Sequence, residues 1–245
     1  MPKNIFITFG GPSANYHNAV DRICREAHNF EFFDEILGFT EKDLMSDESY
    51  WKKQGAFLEQ NKRGYGFWSW KPHIIKRVMD ALEEGDFLFY CDSGCKLNKR
   101  GLPRLYEYMD LLSNNKDGYG ILSFQLNHPE IWFTKRRTLE YFQVSEQEAN
   151  DPQCMATVVI IRKNQHSVRI INEWSIICIN ERWLIDDELS NQEYPAFREH
   201  RHDQSVFSLL VKKYGSVKIA DETYFAPDWN ANGANYPIWA MRHRF

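Results

Sequence analysis

Five consecutive apolar or aromatic residues, Phe87 to Cys91, end abruptly in Asp92, Ser93 and Gly94. A run of that length without polar alternation predicts a strand covered on both faces, as in a parallel sheet. A carboxylate at the mouth of such a strand is costly unless something pairs with it. In open parallel sheets the ligand sits beyond the carboxyl ends of the strands, and Asp92 stands at such an end. The stretch therefore constrains both an architecture and the place of a site.

The remaining pattern agrees with a layered α/β chain. Strands are predicted over 3–9, 30–39, 118–126, 154–162 and 217–220. Helical spacing of apolar residues predicts helices between them: Val20, Ile23, Cys24 and Ala27; Ile74, Ile75, Val78 and Leu82; Ile170, Ile171, Trp174, Ile177 and Cys178; Val206, Phe207, Leu210, Val211 and Tyr214. Further helices are expected over 47–60, 103–112 and 134–143, with 62–72 and 185–201 as loops. No repeat, low-complexity tract or linker interrupts the pattern, so one domain over residues 1–245 is expected.

The net charge of −4 provides no domain-wide basic field, which argues against nucleic acid as the main partner. Five scattered cysteines, Cys24, Cys91, Cys95, Cys154 and Cys178, read as reduced thiols; the pair around Asp92 alone is a weak zinc signal. The opening residues lead straight into a strand, without a signal-peptide core, and no apolar run approaches transmembrane length. A cytoplasmic chain is expected, with room for peripheral contact with a membrane.

Three features accompany the Asp92 turn. The segment RGYGFWSWKP, Arg63 to Pro72, packs two glycines, two tryptophans, an arginine and a lysine ahead of a helix. It reads as a ligand loop or as a hydrophobic plug whose cations reach water. The segment EHRHDQSVFSLL, Glu199 to Leu210, opens a helix with Asp203 and Gln204. It reads as a site or as an acidic helix cap. The ending Arg242-His243-Arg244 can fold over a diphosphate or fray. Asp92 itself can hold a cation or cap its own turn, with Gly94 letting backbone pass close to a ligand.

Taken together, RGYGFWSWKPHII (63–75), FLFYCDSGC (87–95) and HRHDQSVFSLLVKKYG (200–215) resemble the GT-A type of glycosyltransferase, and more narrowly small bacterial and viral sugar transferases. The resemblance implies a Rossmann-like fold with a central, mostly parallel sheet flanked by helices. It implies a nucleotide-binding half over about 1–125 and an acceptor-binding half over about 126–245. It further implies transfer of a sugar from a nucleotide diphosphate, UDP favoured, to a glycan, lipid-linked or protein-linked acceptor, with Mn2+ or Mg2+ held by an Asp-x-Asp turn. Here the turn is Asp92-Ser93-Gly94, so the second carboxylate is absent and the metal's ligands are in question. Asp92 and His202 are the implied metal ligands, with His200 and His243 as alternatives. Asp203 and Gln204 are the implied catalytic pair, with retention or inversion left open. Phe9, Gly10, Gly11 and Tyr16 would face base and ribose; Arg63, Lys71, Arg242 and Arg244 the diphosphate; Trp68, Ser93 and Gly94 the rest of the donor. The stretch from Leu126 to Arg137, with His128 and Trp132, is expected on the acceptor side. Two other readings compete: a binding module that kept the groove and lost the chemistry, and a phosphohydrolase using Asp92 as nucleophile, which would want an Asp where Gly94 stands.

Overall fold

The computed structural model describes residues 2–242, so His243 and Arg244 lie outside the described residues. Nine strands are found among those residues: β1 (Asn4–Gly10), β2 (Glu35–Thr40), β3 (Phe87–Cys91), β4 (Lys96–Leu97), β5 (Ile121–Pro129), β6 (Pro152–Cys154), β7 (Val158–Arg162), β8 (Val217–Ala220) and β9 (Ile238–Trp239). Seven make the central sheet, while β4 and β9 pair separately. β1 lies between β2 and β3 and is parallel to both. β7 runs antiparallel to β3 and β5, β6 antiparallel to β5, and β8 parallel to β5. Five strands therefore point one way and two, β6 and β7, point back, as expected for a mostly parallel sheet.

β3 corrects one detail. Its neighbour β1 is parallel but its neighbour β7 is antiparallel. The unbroken apolar run encodes burial on both faces, and direction does not enter into it. Leu88 and Tyr90 join the core beneath the helices Trp70–Asp80, Gln165–Asn180 and His202–Tyr214. Phe87, Phe89 and Cys91 join the opposite core with the helices Ala14–His28 and Leu102–Asn114. Alternate residues of one strand thus anchor both layers, each large side chain contributing roughly 1.5–3 kcal/mol by burial.

Other boundaries shift for local reasons. The strand expected from residue 30 starts at Glu35, because Phe32 and Phe33 turn instead onto the Phe89 ring at 5.7 and 5.4 Å. The helix expected over 47–60 is preceded by a short one, Glu41–Ser46, and Asp47 separates the two by capping the amide of Tyr50. The strand expected over 154–162 is split into β6 and β7 around Ala156, whose amide and carbonyl are both taken by side chains. The C-terminal segment is strapped down by Asn98, whose amide nitrogen donates to the carbonyls of Gly233, Ala234 and Tyr236. No helix of the described residues is long and apolar enough to cross a membrane.

Candidate active site

β1 and β3 end on the same edge of the sheet, tied there by a hydrogen bond from Thr8 Oγ1 to Cys91 O at 2.8 Å. Asp92 follows directly. Its turn closes through Cys95 N donating to Asp92 O, and it is held from outside by Arg22. The Arg22 guanidinium donates to Ser93 O at 2.7 Å and Cys95 O at 2.9 Å, and pairs with Glu26 at 2.8 Å. Arg22 was not legible as a site residue, since in sequence it is one more polar residue on the outer face of an amphipathic helix.

Lys71 lies in the first turn of the helix Trp70–Asp80 and its side chain is only 3% exposed. Its ammonium meets three oxygens: Ala156 O at 3.0 Å, Asp203 Oδ2 at 3.1 Å and Asp92 Oδ1 at 3.2 Å. The contact with Ala156 is an aligned hydrogen bond. The contact with Asp203 is an ion pair lying off the hydrogen-bonding direction. Tyr90 OH donates to the same Asp92 oxygen at 2.6 Å, and the ammonium lies 5.3 Å from the Tyr90 ring. Burial alone would push Lys71 down, but Asp203 and Asp92 outweigh it and hold the ammonium above its ordinary value.

Two carboxylates share one ammonium, so the cluster carries a net negative charge, and the more buried acid bears the strain. The Asp203 side chain is 4% exposed against 31% for Asp92. Burial pushes the Asp203 carboxyl up to about 7, with Lys71 opposing and Asp92 adding to the rise. Its backbone carbonyl accepts from Trp174 Nε1 at 3.1 Å. Gln204 is engaged at both ends, accepting from Ala156 N at 3.1 Å and donating to Gln153 Oε1 at 2.9 Å. Gln153 in turn reaches buried Glu130, which is bound by Ser208, Thr134 and Lys212.

The loop ahead of Lys71 has an uncommon backbone. Gly64, Tyr65, Gly66, Phe67 and Trp68 all have positive φ, from 51° to 82°. Phe67 N and Trp68 N donate back to Arg63 O and Gly64 O, so the segment is one turn of left-handed helix. L-residues resist this conformation at about 1–2 kcal/mol each. Glycine at 64 is required for space too, since a Cβ there would sit 2.3 Å from the Trp68 ring. Trp70 Nε1 donates to Gly64 O at 3.0 Å, and its ring stacks on Phe9 at 3.9 Å.

The expected nucleotide-facing residues fall into two groups. Phe9 is 3% exposed and packs its ring into the core against Trp70. Gly10 is a close-approach glycine, where a Cβ would lie 2.6 Å from Tyr16 O; Gly11 faces Tyr65 and Tyr16 is exposed. Arg63 pairs with Asp187 at 3.4 Å and with Glu199, placing it at the rim. Arg201, singled out by no sequence rule, is held below its ordinary value first by burial; Glu199 opposes this, and the charges of Arg242 and Arg63 add to it. Arg63 and Arg242 therefore act on Arg201 as like charges, with Glu199 and Asp187 set against them. On the far side Arg198 covers the Trp132 ring at 3.4 Å, and Arg201 the Phe133 ring at 4.2 Å.

The residues present do not supply the pair of carboxylates expected to hold a divalent cation at the turn after β3. Such ions take about six oxygen or nitrogen ligands. Among the described residues no three His, Cys, Asp or Glu side chains converge on a point. Gly94 offers no donor atom, and Asp92 Oδ1 already takes the Tyr90 hydroxyl and Lys71. His202 donates through Nδ1 to Ile185 O at 2.6 Å and stacks on Phe67, burial pushes it down to about 4, and its Nε2 has no hydrogen-bond partner. His200 is spent between Leu184 O and Lys135 N.

No family model matches the sequence, and no curated protein matches it. Solved structures do match. A glycosyltransferase involved in glycosylation of the major capsid of PBCV-1 aligns with a TM-score of 0.55 at 10% identity, over 98% of this chain and 93% of that one. Mouse xyloside xylosyltransferase 1 in its apo form aligns with a TM-score of 0.51 at 10% identity, over 97% of each chain. At such identities the likeness concerns the fold, which is the GT-A fold of glycosyltransferases.

Proposed function

We propose that the chain is a glycosyltransferase that moves a sugar from a nucleoside diphosphate sugar, a UDP-sugar first, to a hydroxyl of a glycan, lipid-linked or protein-linked acceptor. The observation that carries this reading is the cluster Asp92–Lys71–Asp203 beyond the carboxyl ends of β1 and β3, in a fold shared with glycosyltransferases. In the reaction the bond from the anomeric carbon to the diphosphate oxygen breaks and the acceptor oxygen bonds to that carbon. The acceptor's proton leaves to a base, and the nucleoside diphosphate departs. Positive charge grows on the sugar ring and negative charge on the leaving group.

Asp203, ionised, is the carboxylate for the first of these, as a base toward the acceptor or as the charge that steadies the ring. Asp92, the more open acid, meets hydroxyls of the donor. Gln204 fixes the start of the late helix under Asp203. Arg63, Arg201 and Arg242 receive the diphosphate. The left-handed turn brings Trp68 against His202, beside the start of the late helix.

The test is nucleoside diphosphate release from a panel of nucleotide sugars and acceptors. Asp92→Ala and Asp203→Ala each abolish it; unchanged turnover in both variants rejects the site. Tight binding of a nucleotide sugar without turnover on any acceptor would make the chain a binding module instead.

A further inference from the structure

We infer that the Lys71 ammonium is a built-in cation that neutralises Asp92 and Asp203 in place of a divalent metal, so that the chain takes up and turns over its donor without Mn2+ or Mg2+. The turnover half of this rests on the glycosyl-transfer reading; the metal-binding half does not.

Three observations carry it. Lys71 Nζ has three oxygens at 3.0–3.2 Å, Ala156 O by a hydrogen bond and the site's two acids as ion pairs. A metal entering between those acids would meet a positive charge already in contact with both. The ammonium is also fixed in place: its side chain is 3% exposed, and the preceding Trp70 is pinned by Phe9 and Gly64 O. Finally, position 94 is glycine, so the turn after β3 offers one carboxylate where the resemblance implies two. Lys71 is therefore a positioning and neutralising residue, acting on substrate through the two acids.

The experiment is Mn2+ titration of the purified chain followed by electron paramagnetic resonance, with and without UDP. The wild type is expected to leave free Mn2+ at the level of the matching blank. Lys71→Met keeps the length of the side chain and removes the charge; it is expected to take up Mn2+, and Lys71→Met with Asp92→Asn to lose it again. Donor turnover by the wild type is expected to survive EDTA unchanged. The inference is overturned by wild-type Mn2+ uptake that Asp92→Asn abolishes, or by a folded Lys71→Met chain that takes up none. Should Lys71→Met fail to fold, the wild-type titration decides alone. Absence of turnover on every nucleotide sugar, with the Mn2+ results as expected, would sink the proposed function and leave the metal exclusion standing.

Discussion

The Phe67 ring stacks on the His202 imidazole, with centroids 4.9 Å apart and planes 24° from parallel, and both residues hold left-handed backbone, with φ of 55° and 50°. Two segments distant in sequence therefore lock each other in costly conformations. Phe67 stands four residues before Lys71 and His202 one before Asp203, so the lock sits directly behind the ion cluster. Strain of this kind persists only where surrounding structure over-determines it, and it gathers at functional sites.

Gly64→Ala is expected to destabilise the chain by about 1–3 kcal/mol and to lower turnover beyond what the stability loss explains. The new methyl would press on the Trp68 ring and displace the turn that leads to Lys71. Gly118→Ala is the control: its φ is also positive, at 70°, but no atom lies within 4 Å of its added Cβ. It should cost about 1 kcal/mol and leave turnover per folded molecule unchanged. Urea denaturation and kinetics on the same preparations make the comparison.

Lys71→Ala removes the partner of two acids, one of them almost fully buried. Breaking a buried ion pair by deleting one partner costs about 3–5 kcal/mol, because the other charge is left uncompensated. Thermal melts should show this loss at pH 8 and a smaller one near pH 5, where Asp203 in the variant is protonated and neutral. A loss independent of pH would mean that the deletion acts through packing alone.

Catalysis that needs Asp203 ionised should rise with pH through about 7 and level off above it. Asp92→Asn removes a like charge from beside Asp203, so any residual activity should show its acid limb at lower pH. Stability runs the other way. The Asp203 carboxyl titrates at about 7 in the fold against an ordinary 3.8, so the folded state holds the extra proton. Its contribution is complete below pH 4 and is lost as pH rises through 7. His202, lowered from 6.5 to about 4, has the opposite sign: stability is present above 6.5 and drains away as pH falls toward 4. Chemical denaturation across this range, with Asp203→Asn as reference, separates the two.

Arg22→Ala should loosen the Asp92 turn by freeing the carbonyls of Ser93 and Cys95. Charged hydrogen bonds of this sort contribute about 1.5–3 kcal/mol. Donor KM is expected to rise more than kcat falls, since Asp92 loses its position while Asp203 and Lys71 keep theirs. An effect confined to kcat would speak against Arg22 as a support of donor binding.

The strands and amphipathic helices were legible because burial leaves periodic marks in sequence. So were Asp92, Lys71 and Asp203 as types of residue at the edges of elements. Their meeting at one ammonium was not, because three segments reach the same point only through the topology of the sheet. Arg63 read as a diphosphate candidate or a cation reaching water, and its pairing with Asp187 and Glu199 was not legible, because a sequence shows charges without their partners. That the Phe9 ring would pack against Trp70 was not legible either, since the two residues lie far apart in sequence. Gly64 and Gly66 announced an unusual turn, but Tyr65, Phe67 and Trp68 share its left-handed backbone against their own preference, and only tertiary contacts impose that.

Ala156, at the gap between β6 and β7, gives its carbonyl to Lys71 and its amide to Gln204. A methyl-bearing residue with no chemistry of its own thereby couples the early loop to the late helix. The early and late parts of the chain are consequently not interchangeable modules. A chimera joining residues 1–125 to the remainder of another chain of this fold would inherit one side of this joint without the other, unless the peptide unit at 156 moves together with positions 71 and 204.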